Sequence, residues 1–179
     1  MSDELDDYRW LVGDVAARWL AEAAGPQSLT TLARRLRKDL SAERARLVLE
    51  QAELRRRGRA KFLQADRMFF TRLGLEQATD QWVAGYKAAH FIEGAATADL
   101  CCGIGGDWLA LLARGPAEGV DRSAVAALFA AANAKTLSPR PAAPSVRAID
   151  AGDFPLAEVD AWHVDPDRRP DGRRTTRIE

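Results

Sequence analysis

The sequence predicts an α/β fold: an open, mainly parallel sheet of about four strands preceded by an N-terminal helical domain. Three observations carry this. Apolar residues recur at steps of three or four through the first half of the chain, strand-like and helix-like runs alternate from Ala96 onward, and Gly103, Gly105 and Gly106 join the first strand to the next helix. Strands alternating with helices imply crossover connections and hence parallel pairing.

The bulk composition narrows the class. The 179 residues are 47% hydrophobic and 29% charged, as in globular domains, and no apolar run approaches the roughly 18 residues needed to span a bilayer. The acidic start, Met1-Ser2-Asp3-Glu4-Leu5-Asp6-Asp7, is unlike a signal peptide, so a cytoplasmic protein is expected. Cys101 and Cys102 are adjacent and expected to stay reduced; with His90 and His163 the only histidines, at no metal-like spacing, no metal site is expected. The 26 basic and 26 acidic side chains cancel, but two local runs, 55–61 and 168–174, are strongly basic. They are either solvated ends or anion-binding surfaces.

Taken in order, Leu5, Tyr8, Val12, Val15, Trp19 and Ala23 form one helical stripe over 5–24, stopped by Gly25-Pro26. Ser28 can cap a second helix with Leu29, Leu32, Ala33 and Leu36 inward. Ser41 can cap a third that ends at Gly58. With an extended stretch over 60–71 these could be drawn as a winged helix, a DNA-binding arrangement, or serve as a helical cap on a catalytic domain. A further helix is expected over 75–91, with Leu75, Ala78, Trp82, Tyr86 and Ala89 on one face. Strands follow over 96–101, 117–121, 145–149 and 159–164, with helices over 107–114 and 123–136 and a Pro-rich link over 139–144. The domains divide as 1–75 and 76–179.

In such a sheet the ligand lies beyond the carboxyl ends of the strands. Asp99, Asp121, Asp150 and Asp165 each fall at one of those ends. Asp121, 18 residues after Gly103, stands where a carboxylate accepts both hydroxyls of a ribose. Asp150 can accept from an adenine amine. An acid beside the glycine loop repels phosphate and attracts an ammonium group, so S-adenosylmethionine fits better than a dinucleotide. Cys101 and Cys102 fill small spaces, Phe91, Trp108 and Trp162 are packing residues, and His163 is buried or paired. Gln77 and Thr79 have no derivable role.

The run Asp99-Leu100-Cys101-Cys102-Gly103-Ile104-Gly105-Gly106-Asp107 resembles the first motif of class I S-adenosylmethionine-dependent methyltransferases. Residues 69–79 and His163-Val164-Asp165-Pro166-Asp167-Arg168-Arg169 are similar to the bacterial branch with a THUMP-like C-terminal domain, related to the trimethylguanosine synthase type of RNA methyltransferases. The resemblance implies a Rossmann-like sheet and methyl transfer to a nitrogen of RNA. It implies a cofactor set of Asp99, Cys101, Gly103, Ile104, Gly105, Asp121, Arg122, Asp150 and Ala151. Asp165 and Pro166 would be catalytic. The motif departs from the amine-methylating pattern: Asp167 replaces a second proline and Arg168 an aromatic, so Arg168 and Arg169 are expected to hold the substrate, by phosphate contacts or stacking.

The complete methyltransferase sheet has seven strands, so a chain offering four is expected to be truncated after the fourth. It would lack any THUMP-like domain, bind cofactor weakly and be catalytically poor. The alternative is a non-catalytic protein whose N-terminal helices bind nucleic acid or whose sheet senses a ligand. A nicotinamide-dependent dehydrogenase would need another role for Asp99.

Overall fold

The computed structural model describes residues 2–25, 28–137 and 145–166. Helices α1 (Ser2–Val12) and α2 (Asp14–Ala23) replace the single helix expected over 5–24. Gly13 parts them with an extended backbone, φ −84° and ψ 164°. Glycine is a poor helix-interior residue. The break resets the helical phase, so Val15, expected inside, is 65% exposed, while Leu11, Ala16 and Leu20 join Trp19 in the core.

Ser28 and Ser41 behave as expected, accepting from the Thr31 and Arg44 N–H groups at 3.2 Å to cap α3 (Leu29–Leu36) and α4 (Ala42–Gly58). Leu32 and Leu36 point inward and Ala33 is half-buried; the Leu29 side chain, Pro26 and the Pro-rich link lie outside the described residues. The 60–71 stretch is not extended as expected. It holds a 3-10 turn at Ala65–Arg67 and no strand. Two buried amides explain this. Gln51 accepts from Phe70 N–H at 3.0 Å and donates to its carbonyl at 2.6 Å, and Asn133 does the same for Phe69 at 2.7 and 3.0 Å. Side chains thus take the backbone groups that a hairpin would pair, and the winged-helix drawing has no wing among the described residues.

The helix expected over 75–91 is also two, α5 (Arg72–Gln77) and α6 (Gln81–Ala88). Asp80 caps α6 through Trp82 N–H at 2.9 Å. Lys61 Nζ donates to the Leu75, Glu76 and Ala78 carbonyls at 2.8–2.9 Å, satisfying the end of α5. Trp82 and Tyr86 are therefore each 69% exposed rather than in the core. Ala84 and Ala88 are buried in their place.

The α/β part follows the predicted alternation: β1 (Thr97–Asp99), α7 (Gly106–Arg114), β2 (Ala117–Val120), α8 (Ala124–Leu137), β3 (Ser145–Arg147) and β4 (Ala161–His163). All pairs are parallel, in the order β3-β2-β1-β4. Two 3-10 turns, Ala151–Asp153 and Leu156–Glu158, lead into β4. The fold is α/β as the sequence predicts, with strands shorter than expected.

Helix α8 is buried on two sides. Phe129 meets the Tyr8 ring edge-on at 5.5 Å and Phe69 at 5.8 Å, whereas Ala130 and Ala134 pack with Trp108 and Cys102. The N-terminal helices and the glycine loop consequently share one core, which includes Leu11, Leu32, Leu54, Ile104 and Phe129. The other face of the sheet buries only Ala98, Leu100, Val120 and Phe154. Trp108 is a packing residue, its indole N–H donating to Ala117 at 3.1 Å. Trp162 is not: β4 is an edge strand, and Trp162, whose register partner is Ala98, is 51% exposed. No helix among the described residues is long and apolar enough to cross a membrane.

Candidate functional site

Strand order reverses between β1 and β4: the chain steps outward from β1 through β2 to β3, then returns to the other side of β1. A crevice opens beyond the strand ends at such a point. Asp99 and His163 are register partners across it, with His163 Nδ1 3.4 Å from Asp99 Oδ1. Asp99 is 1% exposed, and burial pushes its carboxyl above the usual range. His163 is raised in turn, chiefly by its hydrogen bond to Asp99. A buried, poorly solvated acid gains from an arriving cation.

The loop after β1 is locked behind and open in front. Gly103 and Gly105 have φ of +54° and +95°, which disfavours any residue with a Cβ. Asn133 donates to the Ile104 carbonyl at 2.9 Å, and a Cβ at Gly74 would lie 2.6 Å from the Ile104 side chain. A Cβ at Gly106 would lie 3.3 Å from the Thr79 backbone. At Gly103 an added Cβ meets nothing within 4 Å, so a ligand has room against the main chain there.

Asp121 accepts from Gly103 N–H at 2.9 Å and from Ser123 N–H at 2.8 Å. It shapes the loop, and each oxygen keeps a further lone pair. Asp150 caps its 3-10 turn through Gly152 N–H at 2.9 Å; Ala151 beside it is half-buried. The Cys101 thiol is pushed up by burial first, then by Asp99, Asp121 and Asp150, with Arg122 opposing. These groups therefore converge on one sulfur. Cys102 is buried and its thiol is also raised by burial, as suits a space-filling residue. Asp150 and Ala151 stand at the β3 end, two strands away from β1 and across the sheet from Asp165.

Asp165 and Pro166 are exposed just past β4. Arg168 and Arg169 lie outside the described residues. The sequence gave no hint of the cation that reaches Asp165. Lys87 Nζ lies 3.5 Å from Asp165 Oδ2, 3.1 Å from Asp107 Oδ2 and 3.1 Å from Thr79 Oγ1. Thr79, without a role in the sequence, donates its hydroxyl to Asp107 at 2.6 Å. Asp107 Oδ1 is buried with no hydrogen-bond partner among the described residues. Lys87 thus ties the start of α7 to the residue after β4, a link between positions 78 residues apart that no local pattern encodes.

No family model and no curated protein matches the chain. Among solved structures it is similar to one from Porphyromonas gingivalis W83 described as a "putative methyltransferase", at 28% identity and a TM-score of 0.70. The fold is a methyltransferase fold. The match covers 85% of this chain and 40% of the neighbour, so the chain spans well under half of that protein's length.

Proposed function

We propose that the chain is an S-adenosylmethionine-dependent methyltransferase that acts on a nitrogen of RNA. The observation that carries this reading is the strand order, which sets Asp99, an open glycine loop and Asp165 around one crevice. The residues fit the cofactor: a buried carboxylate suits its ammonium, the free side of Gly103 admits its methionine end, and Asp121 retains lone pairs for a ribose. When bound, the cofactor supplies an activated methyl group on a sulfonium.

The protein's own work is alignment. Asp99, with the backbone of Cys101, Gly103, Ile104 and Gly105, holds the methionine end. Asp121 and Arg122 border the ribose, and Asp150 and Ala151 the adenine edge. Asp165 accepts a hydrogen bond from the acceptor nitrogen and turns its lone pair toward the methyl group, with Pro166 stiffening the turn. Lys87 holds Asp165 in place. RNA as acceptor rests on the resemblance and on the basic surfaces. Calorimetry with S-adenosylmethionine tests the site: binding that Asp121→Ala weakens at least 10-fold is expected, and no binding by the whole chain refutes it.

A further inference from the structure

The N-terminal helices carry a groove that the cofactor site does not use. Thr30, Ala33, Arg34 and Arg37 follow the i, i+3, i+4, i+7 spacing along α3 and its C-cap, and Arg46, Leu49, Glu50 and Glu53 follow it along α4. Residues so spaced share one helix face. The two stripes face each other across a valley of about 860 Å³, and Arg72 of α5 completes its lining. Leu32 and Leu36 anchor α3 in the core, so the groove stripe is left to solvent.

The charges are arranged unequally. Glu50 lies under Arg46 and Arg72, each 2.8 Å away, and Arg72 also reaches Glu53 at 3.5 Å; Arg46 is further held by Glu43. These acids serve to fix two guanidinium groups in position. Arg34 and Arg37 have no ion-pair partner among the described residues, and both are exposed. Four guanidiniums thus stand over two carboxylates, with two cations uncompensated. Small and apolar residues, Ala33 and Leu49, line the space between them.

We propose that this groove binds the phosphodiester backbone of single-stranded RNA, with Arg34 and Arg37 as phosphate ligands and Arg72 presenting its outer N–H groups to a further phosphate. Guanidinium forks match phosphate oxygens, and an apolar floor accepts sugar and base faces. The stripe from Arg46 to Glu53 is about 10 Å long at the helical rise, enough for a short stretch of strand. Arg72 lies two residues before Gly74, which packs on Ile104 of the glycine loop, so RNA held here is led toward the crevice. This assignment rests on the reading of the chain as an RNA methyltransferase and supplies that reading with a substrate surface.

The test is fluorescence anisotropy of the whole chain with a labelled single-stranded RNA of about 20 nucleotides, over a range of salt. The wild type should bind with a log–log salt slope of about −2, as for roughly three phosphates on a single strand. Arg34→Glu/Arg37→Glu should weaken binding at least 10-fold and flatten the slope by about 1. Both residues are exposed, so circular dichroism and melting should not change. Arg18→Glu/Lys135→Glu, the same charge change elsewhere, should have less than a threefold effect. Absent RNA binding, equal losses in the two double variants, or equally tight binding of polyglutamate each overturn the proposal. Calorimetry with S-adenosylmethionine on the same samples separates the two ideas. Loss of cofactor binding in the wild type overturns the methyltransferase reading, while the groove is judged by the RNA data.

Discussion

The two ends of the crevice are built on opposite principles. At the β1 end, Asp99 is 1% exposed, the glycine loop is pinned by Asn133 and Gly74, and the backbone sits in left-handed turns. At the β4 end, the Asp165 side chain is 48% exposed and is reached by Lys87 at 3.5 Å. The contrast teaches how the work divides. The buried end is preorganised for a ligand of fixed shape, and the open end can admit acceptors that arrive from solvent.

The largest effect should come from breaking the buried end at its anchor. Asn133→Ala leaves the Phe69 N–H and the Phe69 and Ile104 carbonyls unpaired inside the core. A loss of about 3 kcal/mol is expected, measured by urea denaturation. A loss below about 1 kcal/mol would mean that the loop is held by packing alone.

Asp99→Asn should lower affinity for S-adenosylmethionine by about 100-fold, the upper range for a hydrogen bond to a charged group. It should not destabilise the free protein at neutral pH. Because burial raises the Asp99 carboxyl in the folded state, its contribution to stability is full at low pH and is lost as pH rises through the folded value. An amide that never ionises avoids that loss. A melting temperature unchanged or higher, together with lost binding, is the expected pair of results. The same shift gives a pH profile for the wild type. Cofactor affinity should begin to fall on acidification well above pH 4, where an ordinary aspartate titrates. Affinity constant down to about pH 4 would remove Asp99 from the ammonium site.

Gly105→Ala forces a Cβ into a backbone at φ +95° and should cost about 1–2 kcal/mol. Gly85, where an added Cβ meets nothing and φ is not positive, is the matched control. Alanine there should be neutral or stabilising by up to about 1 kcal/mol, in melting experiments on both variants.

The smallest effect on cofactor binding is expected at the open end. Lys87→Met should change S-adenosylmethionine affinity less than about threefold, because Lys87 meets the acceptor side through Asp165 and the α7 start through Asp107. Methyl transfer should fall further than binding, and Lys87→Arg should restore part of it. Equal losses in binding and transfer would erase the proposed division between the two ends.

Local chemistry was legible in the amino-acid order. Serine caps at Ser28 and Ser41, glycines at positive φ, alternating strands and helices, and acids at strand ends all follow from turn geometry and short-range periodicity. The same periodicity misled over 5–24 and 75–91. A stripe of apolar residues carries across a break, while Gly13 and Asp80 reset the helical phase. Trp82, Tyr86 and Val15 were therefore assigned to the wrong environment.

What the sequence by itself determined is the α/β class, the glycine loop and the strand-end acids, because each depends on residues within a few positions of one another. Only the tertiary structure decided the strand order, the Asp99–His163 pairing, the amide clamps of Gln51 and Asn133 and the reach of Lys87 to Asp165. Those contacts close loops of 19 to 78 residues. Their energy is realised only once the helices and sheet have packed, and no local propensity anticipates it.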